Sequence, residues 1–171
     1  MATVSTQQSL NKVKAAALTV MVNVCRFLLG VTFVFSGFVK AIDPIGTQYK
    51  LQDYISAVGM GQLVPDIITL LASVALSALE FSLGVFVLFA IRRHLVSKIL
   101  VAFMAVMTLI TVWIALFNPV KDCGCFGEAL RLTNVQTLLK NIVLLAASVV
   151  VAWRPLRMYR FLSRSTQWIA I

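Results

Sequence analysis

Two cysteines separated by a single glycine, Cys123-Gly124-Cys125, are the residues of this chain best suited to chemistry. A bridge between them closes a small ring and forces the backbone into unusual angles, which glycine tolerates best. Strain makes such a ring easier to reduce, so the pair suits exchange with another thiol better than permanent stapling. Three uses stay open: a redox-active dithiol, a turn with free thiols or a static bridge, and a metal site. Metal is the weakest, because only two thiols converge and His94 is expected on the opposite side of the membrane; no metal is expected. The third cysteine, Cys25, is too far along the chain to pair with either and reads as a small apolar core residue.

Ionisable residues inside apolar runs form a second group. At about 100° per residue, Arg26, Gly30, Phe33, Gly37 and Lys40 fall on one helix face, and Ser73, Glu80 and Gly84 share another. Charges in a bilayer turn toward the bundle interior, and glycines admit a neighbouring backbone. Counted from span ends at Ala17 and Ile91, Arg26 and Glu80 lie about 13 and 16 Å deep, so the two are expected to meet as an internal polar pair. Whether such a pair fixes register or serves a proton path or polar head group is open. Lys140 either snorkels outward or sits beneath the cysteines, where it, like Lys121, would favour a thiolate. Lys40 and Asp43 are expected at the outer rim near the cysteine loop, and Asn141 joins Lys140 in the last apolar run.

These residues must be positioned by membrane helices. Of 171 residues, 60% are hydrophobic and 12% charged, and the mean hydropathy is +0.95; that leaves too little polar surface for a water-soluble globule. Four apolar stretches, about 17–42, 64–91, 96–118 and 134–153, are each long enough to span at about 20 residues apiece. The predicted fold is therefore all-α: an integral membrane four-helix bundle with a short amphipathic segment between the first two spans. That segment, from Asp43 to Leu63, is too polar to span and is expected on the membrane surface. Residues 1–16 and 154–171 form polar and basic tails, and the apolar run behind the first tail is too long for a cleaved signal sequence.

The net charge of +9 does not point to nucleic acid, because the basic residues cluster at span ends. Lys12, Lys14, Arg92, Arg93, Lys98, Arg154, Arg157, Arg160 and Arg164 fall on one side, and only Lys40, Lys50, Lys121 and Arg131 on the other. The positive-inside rule then makes both termini cytoplasmic and turns the Cys123/Cys125 loop outward. The tail from Arg154 to Arg164 is expected along anionic lipid.

The strings Arg26-Phe-Leu-Leu-Gly30, Gly37-Phe-Val-Lys40 with Asp43-Pro44, Glu80-Phe-Ser-Leu-Gly84 and Cys123-Gly-Cys-Phe-Gly127, with Asn141 in the last span, resemble the DoxX-like membrane proteins. Within that group they look most like the methylamine-utilisation MauE branch, of which the cysteine loop is the more specific mark. The resemblance covers roughly residues 20–153. It implies a four-helix bundle in the cytoplasmic membrane of a bacterium and a part in disulfide formation or electron transfer outside the cytoplasm. The leading expectation is a thiol-disulfide oxidoreductase, or its membrane subunit, in which Cys123 and Cys125 cycle with an extracytoplasmic thiol/disulfide protein and electrons pass to or from a quinone. The alternatives are a non-enzymatic anchor or assembly subunit for a periplasmic redox protein and a small proton-coupled transporter. The transporter reading is weakened by the single buried acid and by the lack of a clear mid-depth break in any span.

Overall fold

The computed structural model describes residues 2–61, 63–117 and 133–159, the side chains of 2–10 excepted. The expected residues Cys123, Cys125 and Lys121 lie outside this set. The chain forms helices α1 (Ala2–Ile42), α2 (Pro44–Ala57), α3 (Asp66–Leu88), α4 (Arg93–Phe117) and α5 (Asn134–Trp153), then a single 3-10 turn at Pro155–Arg157. Among the described residues four helices, running over Asn11–Ile42, Asp66–Leu88, Arg93–Phe117 and Asn134–Trp153, are long and apolar enough to cross a membrane. The fold is the all-helical membrane bundle that the composition demands.

The bundle has two ends: the Arg92 end holds the α3–α4 turn and the end of α5, and the α2 end holds α2, the start of α3, the end of α4 and the start of α5. Each helix is punctuated by local chemistry. The α3 helix stops at Leu88, three residues before the apolar run ends, because Ala90 and Arg92 take left-handed backbone angles (φ 54° and 40°) that reverse the chain into α4. The α5 helix begins at a capping box: Gln136 N–H donates to Thr133 Oγ1 at 3.3 Å, and Thr133 N–H donates to Gln136 Oε1 at 3.1 Å.

The tightest packing joins α1 to α3. A Cβ on Gly37 would lie 2.5 Å from the backbone nitrogen of Phe81, one on Gly84 would lie 2.6 Å from that of Val34, and one on Gly30 would strike the Leu88 side chain. The two backbones therefore touch at Gly37 and Gly84, Gly30 makes room for the Leu88 side chain, and the antiparallel register follows: 37 beside 81, 34 beside 84, 30 beside 88. Val22, Leu29 and Phe33 from α1, Leu83 and Val87 from α3, Leu100 and Met104 from α4, and Leu144 and Val151 from α5 close the apolar core. Phe33 and Phe103 meet edge to face, 5.6 Å between ring centres.

The polar segment after α1 does more than lie beside the bundle. Pro44, which has no N–H to continue a helical ladder, breaks the chain from α1, and Asp43 caps α2 by accepting from Gly46 N–H at 2.8 Å. From there α2 runs antiparallel along the first half of α3. Ser73 Oγ donates to the Pro44 carbonyl at 2.7 Å, Gln48 Nε2 to the Asp66 carbonyl at 3.0 Å, and Gln52 Nε2 to Asp66 Oδ1 at 2.8 Å. The helix α2 thus takes over from α1 along the same partner.

The glycine contacts make a direct prediction. Gly37→Val drives a branched side chain into the Phe81 backbone and costs about 1–3 kcal/mol or more, whereas Gly59→Ala, which meets no neighbour, costs less despite its positive φ. Thermal unfolding of the detergent-purified variants separates the two.

Candidate functional site

The α1–α3 register decides which charges meet. Glu80 is buried on α3 and accepts from Lys40 Nζ through Oε1 at 2.6 Å. Its other oxygen, Oε2, accepts from Ser36 Oγ at 2.7 Å. Ser36 and Lys40 stand one turn apart on α1, so one helix face supplies both donors. All three are less than one-tenth exposed. Both carboxylate oxygens are engaged, so neither is left without a partner in the interior.

This corrects the expected Arg26–Glu80 pair. Arg26 lies fourteen residues before Lys40, about 21 Å along α1. The depth argument failed because it took Ala17 as the edge of the first span; Gly30 packs at the level of Leu88, so Arg26, one turn earlier, is level with the α3–α4 turn. There Arg26 is fully buried and donates through Nη1 to the Tyr159 carbonyl at 2.6 Å, with its guanidinium 4.9 Å from the Phe27 ring.

The residues that hold Arg26 were missed from the sequence. The chain after α5 turns back across α1: Asn23 Nδ2 donates to the Arg157 carbonyl at 3.2 Å, Tyr159 N–H donates to Asn23 Oδ1 at 3.2 Å, and Arg157 Nη1 donates to the Ala15 carbonyl at 2.7 Å. Met158 is buried beneath. The tail expected along lipid is, through Tyr159, a strap over the bundle's Arg92 end. An Asn three residues before Arg26 in an apolar run was the available signal.

Beside the ion pair is a cavity of about 40 Å³, lined by Ser36, Lys40 and Glu80 and, across the bundle, by Met107, Lys140 and Asn141. One water needs about 10–15 Å³, so a few fit. Asn141 Nδ2 donates to Thr111 Oγ1 at 3.2 Å, and the Thr111 hydroxyl is within reach of the Met107 and Thr108 carbonyls, both at 2.9 Å. Lys140 is half-buried and lines this cavity. Ser36 and Thr111 were absent from the expected set; a Ser four residues before Lys40 was the legible hint. Asp43, expected at the rim, caps α2, and Cys25 is half-buried against the core. Among the described residues no three of His, Cys, Asp and Glu gather as a metal would require.

The chain is a multi-pass helical membrane protein in which, among the described residues, one acid is buried, clamped by a lysine and a serine beside a water-sized cavity. The model of the methylamine utilisation protein MauE family matches residues 18–154, and the chain belongs to that family. No curated protein and no solved structure matches it.

The pairing predicts a coupled mutant series. Glu80→Ala strands a buried Lys40 and destabilises by about 3–5 kcal/mol, while Lys40→Met with Glu80→Leu recovers most of that loss. Arg26→Ala shows no coupling to Glu80→Ala. A double-mutant cycle on unfolding in detergent measures all three.

Proposed function

We propose that this protein is a membrane component of extracytoplasmic thiol–disulfide exchange, with Cys123 and Cys125 as the working pair. The observation that carries the reading is the position of the Cys123-Gly124-Cys125 string: inside the family match and in the connection between α4 and α5, the helices that contribute Met107, Lys140 and Asn141 to the polar cavity. The charge count supports an outward loop, since the Arg92 end carries Arg92, Arg93, Lys98, Arg154 and Arg157. In a bacterium that end faces the cytoplasm of the inner membrane, and the cysteines face the compartment where disulfides persist. Kinship with DoxX-like proteins belongs to the same reading.

A thiolate of the partner protein attacks one sulfur of the Cys123–Cys125 disulfide, and the other cysteine leaves as a thiolate, forming a mixed disulfide. The partner's second thiolate then attacks the partner sulfur of that mixed disulfide and releases the bonded cysteine as a thiolate, so the partner departs oxidised and the pair is left as a dithiol. Re-oxidation gives up two electrons and two protons, which reduce one quinone of the membrane to its quinol. The reverse sequence delivers reducing equivalents outward. Lys121 and Lys140 are the cations that favour the thiolate. A connection to methylamine utilisation enters through the family's name.

Thiol trapping in intact membranes tests this in a Cys25→Ser background. The pair is expected to resist a bulky alkylating reagent until mildly reduced, and Cys123→Ser or Cys125→Ser to accumulate a mixed disulfide with a partner. A pair that stays alkylatable in an oxidising periplasm, with no mixed disulfide in either variant, overturns the reading. Full biological function in the double serine variant assigns the chain to assembly or anchoring instead.

A further inference from the structure

At the Arg92 end, away from the buried acid, a recess of about 530 Å³ opens between the start of α4 and the end of α5, lined by His94, Trp153, Arg154, Pro155, Leu156 and Arg157. Its walls are held by named bonds. Arg93 Nη1 donates to the Leu156 carbonyl at 3.2 Å, Arg157 is tied to α1 through the Ala15 carbonyl, and the 3-10 turn beginning at Pro155 fixes the backbone between. The recess is therefore a fixed concavity of the fold.

Its lining has two kinds of surface. Arg154, Arg157 and the imidazole of His94 supply cations and N–H donors, and among the described residues no acid lines the recess. The Arg154 guanidinium lies 5.9 Å from the Trp153 ring, which is 77% exposed, and Leu156 beside it is 66% exposed. Indole at a span end is the side chain that partitions to the boundary between acyl chains and head groups. A soluble anion would need only the cations; the apolar wall suits a ligand that brings hydrocarbon with its charge.

We propose that this recess binds the phosphate head group of an anionic phospholipid, with Arg154 and His94 on the phosphate and Trp153 and Leu156 against the upper acyl chain. The site is independent of the cysteine chemistry. It is also distinct from a diffuse attraction of the basic end to a charged surface, because Lys98, one turn further along α4, lies outside it.

The test uses the full chain in phosphatidylcholine vesicles, with spin-labelled phosphatidylglycerol or phosphatidylcholine reporting the motionally restricted lipid. Phosphatidylglycerol is expected to be preferred, and Arg154→Ala to lower that preference about fivefold, the share of one well-placed basic side chain. Arg154→Lys, the conservative variant that guards against misfolding, keeps most of the preference, and Lys98→Ala changes it clearly less than Arg154→Ala does. Equal losses for Arg154→Ala and Lys98→Ala reduce the effect to surface charge and overturn the site. So does the absence of any preference in the wild type. Loss of preference on adding inorganic phosphate, but not chloride at matched ionic strength, assigns the recess to a free anion and overturns the lipid.

Discussion

Three glycines set where everything else goes. Because Gly30, Gly37 and Gly84 let the α1 and α3 backbones touch, these helices have little freedom to slide, and sliding by one turn would move Lys40 about 5.4 Å along the axis from Glu80. A carboxylate so stranded costs at least about 2.5 kcal/mol on insertion scales. The close approach and the ion pair thus specify the same register from two independent sources, one steric and one electrostatic. Agreement of this kind selects a single packing among the many that an apolar surface permits.

The same register explains why α1 must break. Lys40 is two residues from the end of α1, but Glu80 is fourteen residues into α3, about 21 Å from its start. The first half of α3 therefore extends past the end of its partner, with Thr69 and Ser73 buried along it. Those hydroxyls need acceptors and donors that lipid cannot supply. The α2 helix provides them: Gln48 Nε2 approaches Thr69 Oγ1 at 3.3 Å, and Ser73 reaches the carbonyl of Pro44. Asp43-Pro44 is the hinge that ends one helix and starts the next on the same track.

What could be read in the sequence was which face each helix buries. Arg26, Phe33 and Lys40 on α1 and Ser73, Glu80 and their neighbour Ser77 on α3 are all buried, because polar and small residues recurring at helical spacing in an apolar run have only the bundle interior to turn to. Which residue meets which was not legible. Interhelical register is a property of two sequences at once, and depth counted from the edges of apolar runs slips when a helix such as α1 continues 41 residues, about 61 Å, well past any bilayer. The amphipathic segment was legible as polar and short, but its docking was not, since Gln48 and Gln52 show their purpose only beside Asp66. The strap escaped for the same reason: a backbone carbonyl at Tyr159 carries no signature that an arginine 133 residues earlier could be matched to.

The separation of the two buried cations bears on what the bundle can do. Lys40 with Glu80 and Arg26 with Tyr159 occupy different levels of α1, and between them lie Leu29 and Phe33, with Leu83, Val87, Leu100 and Leu144 closing in from the other three helices. Every one of these is less than one-tenth exposed, and the hydroxyls buried among them, Ser97 and Ser148, donate back to carbonyls of their own helices at Arg93 and Leu145, so the layer holds no described buried ionisable group to carry a proton from one level to the other. A pump or proton-coupled carrier needs such groups through its midplane. The buried layer on the Arg92 side of Lys40 and Glu80 offers no such path, which favours chemistry confined to one face of the bundle over transport across it.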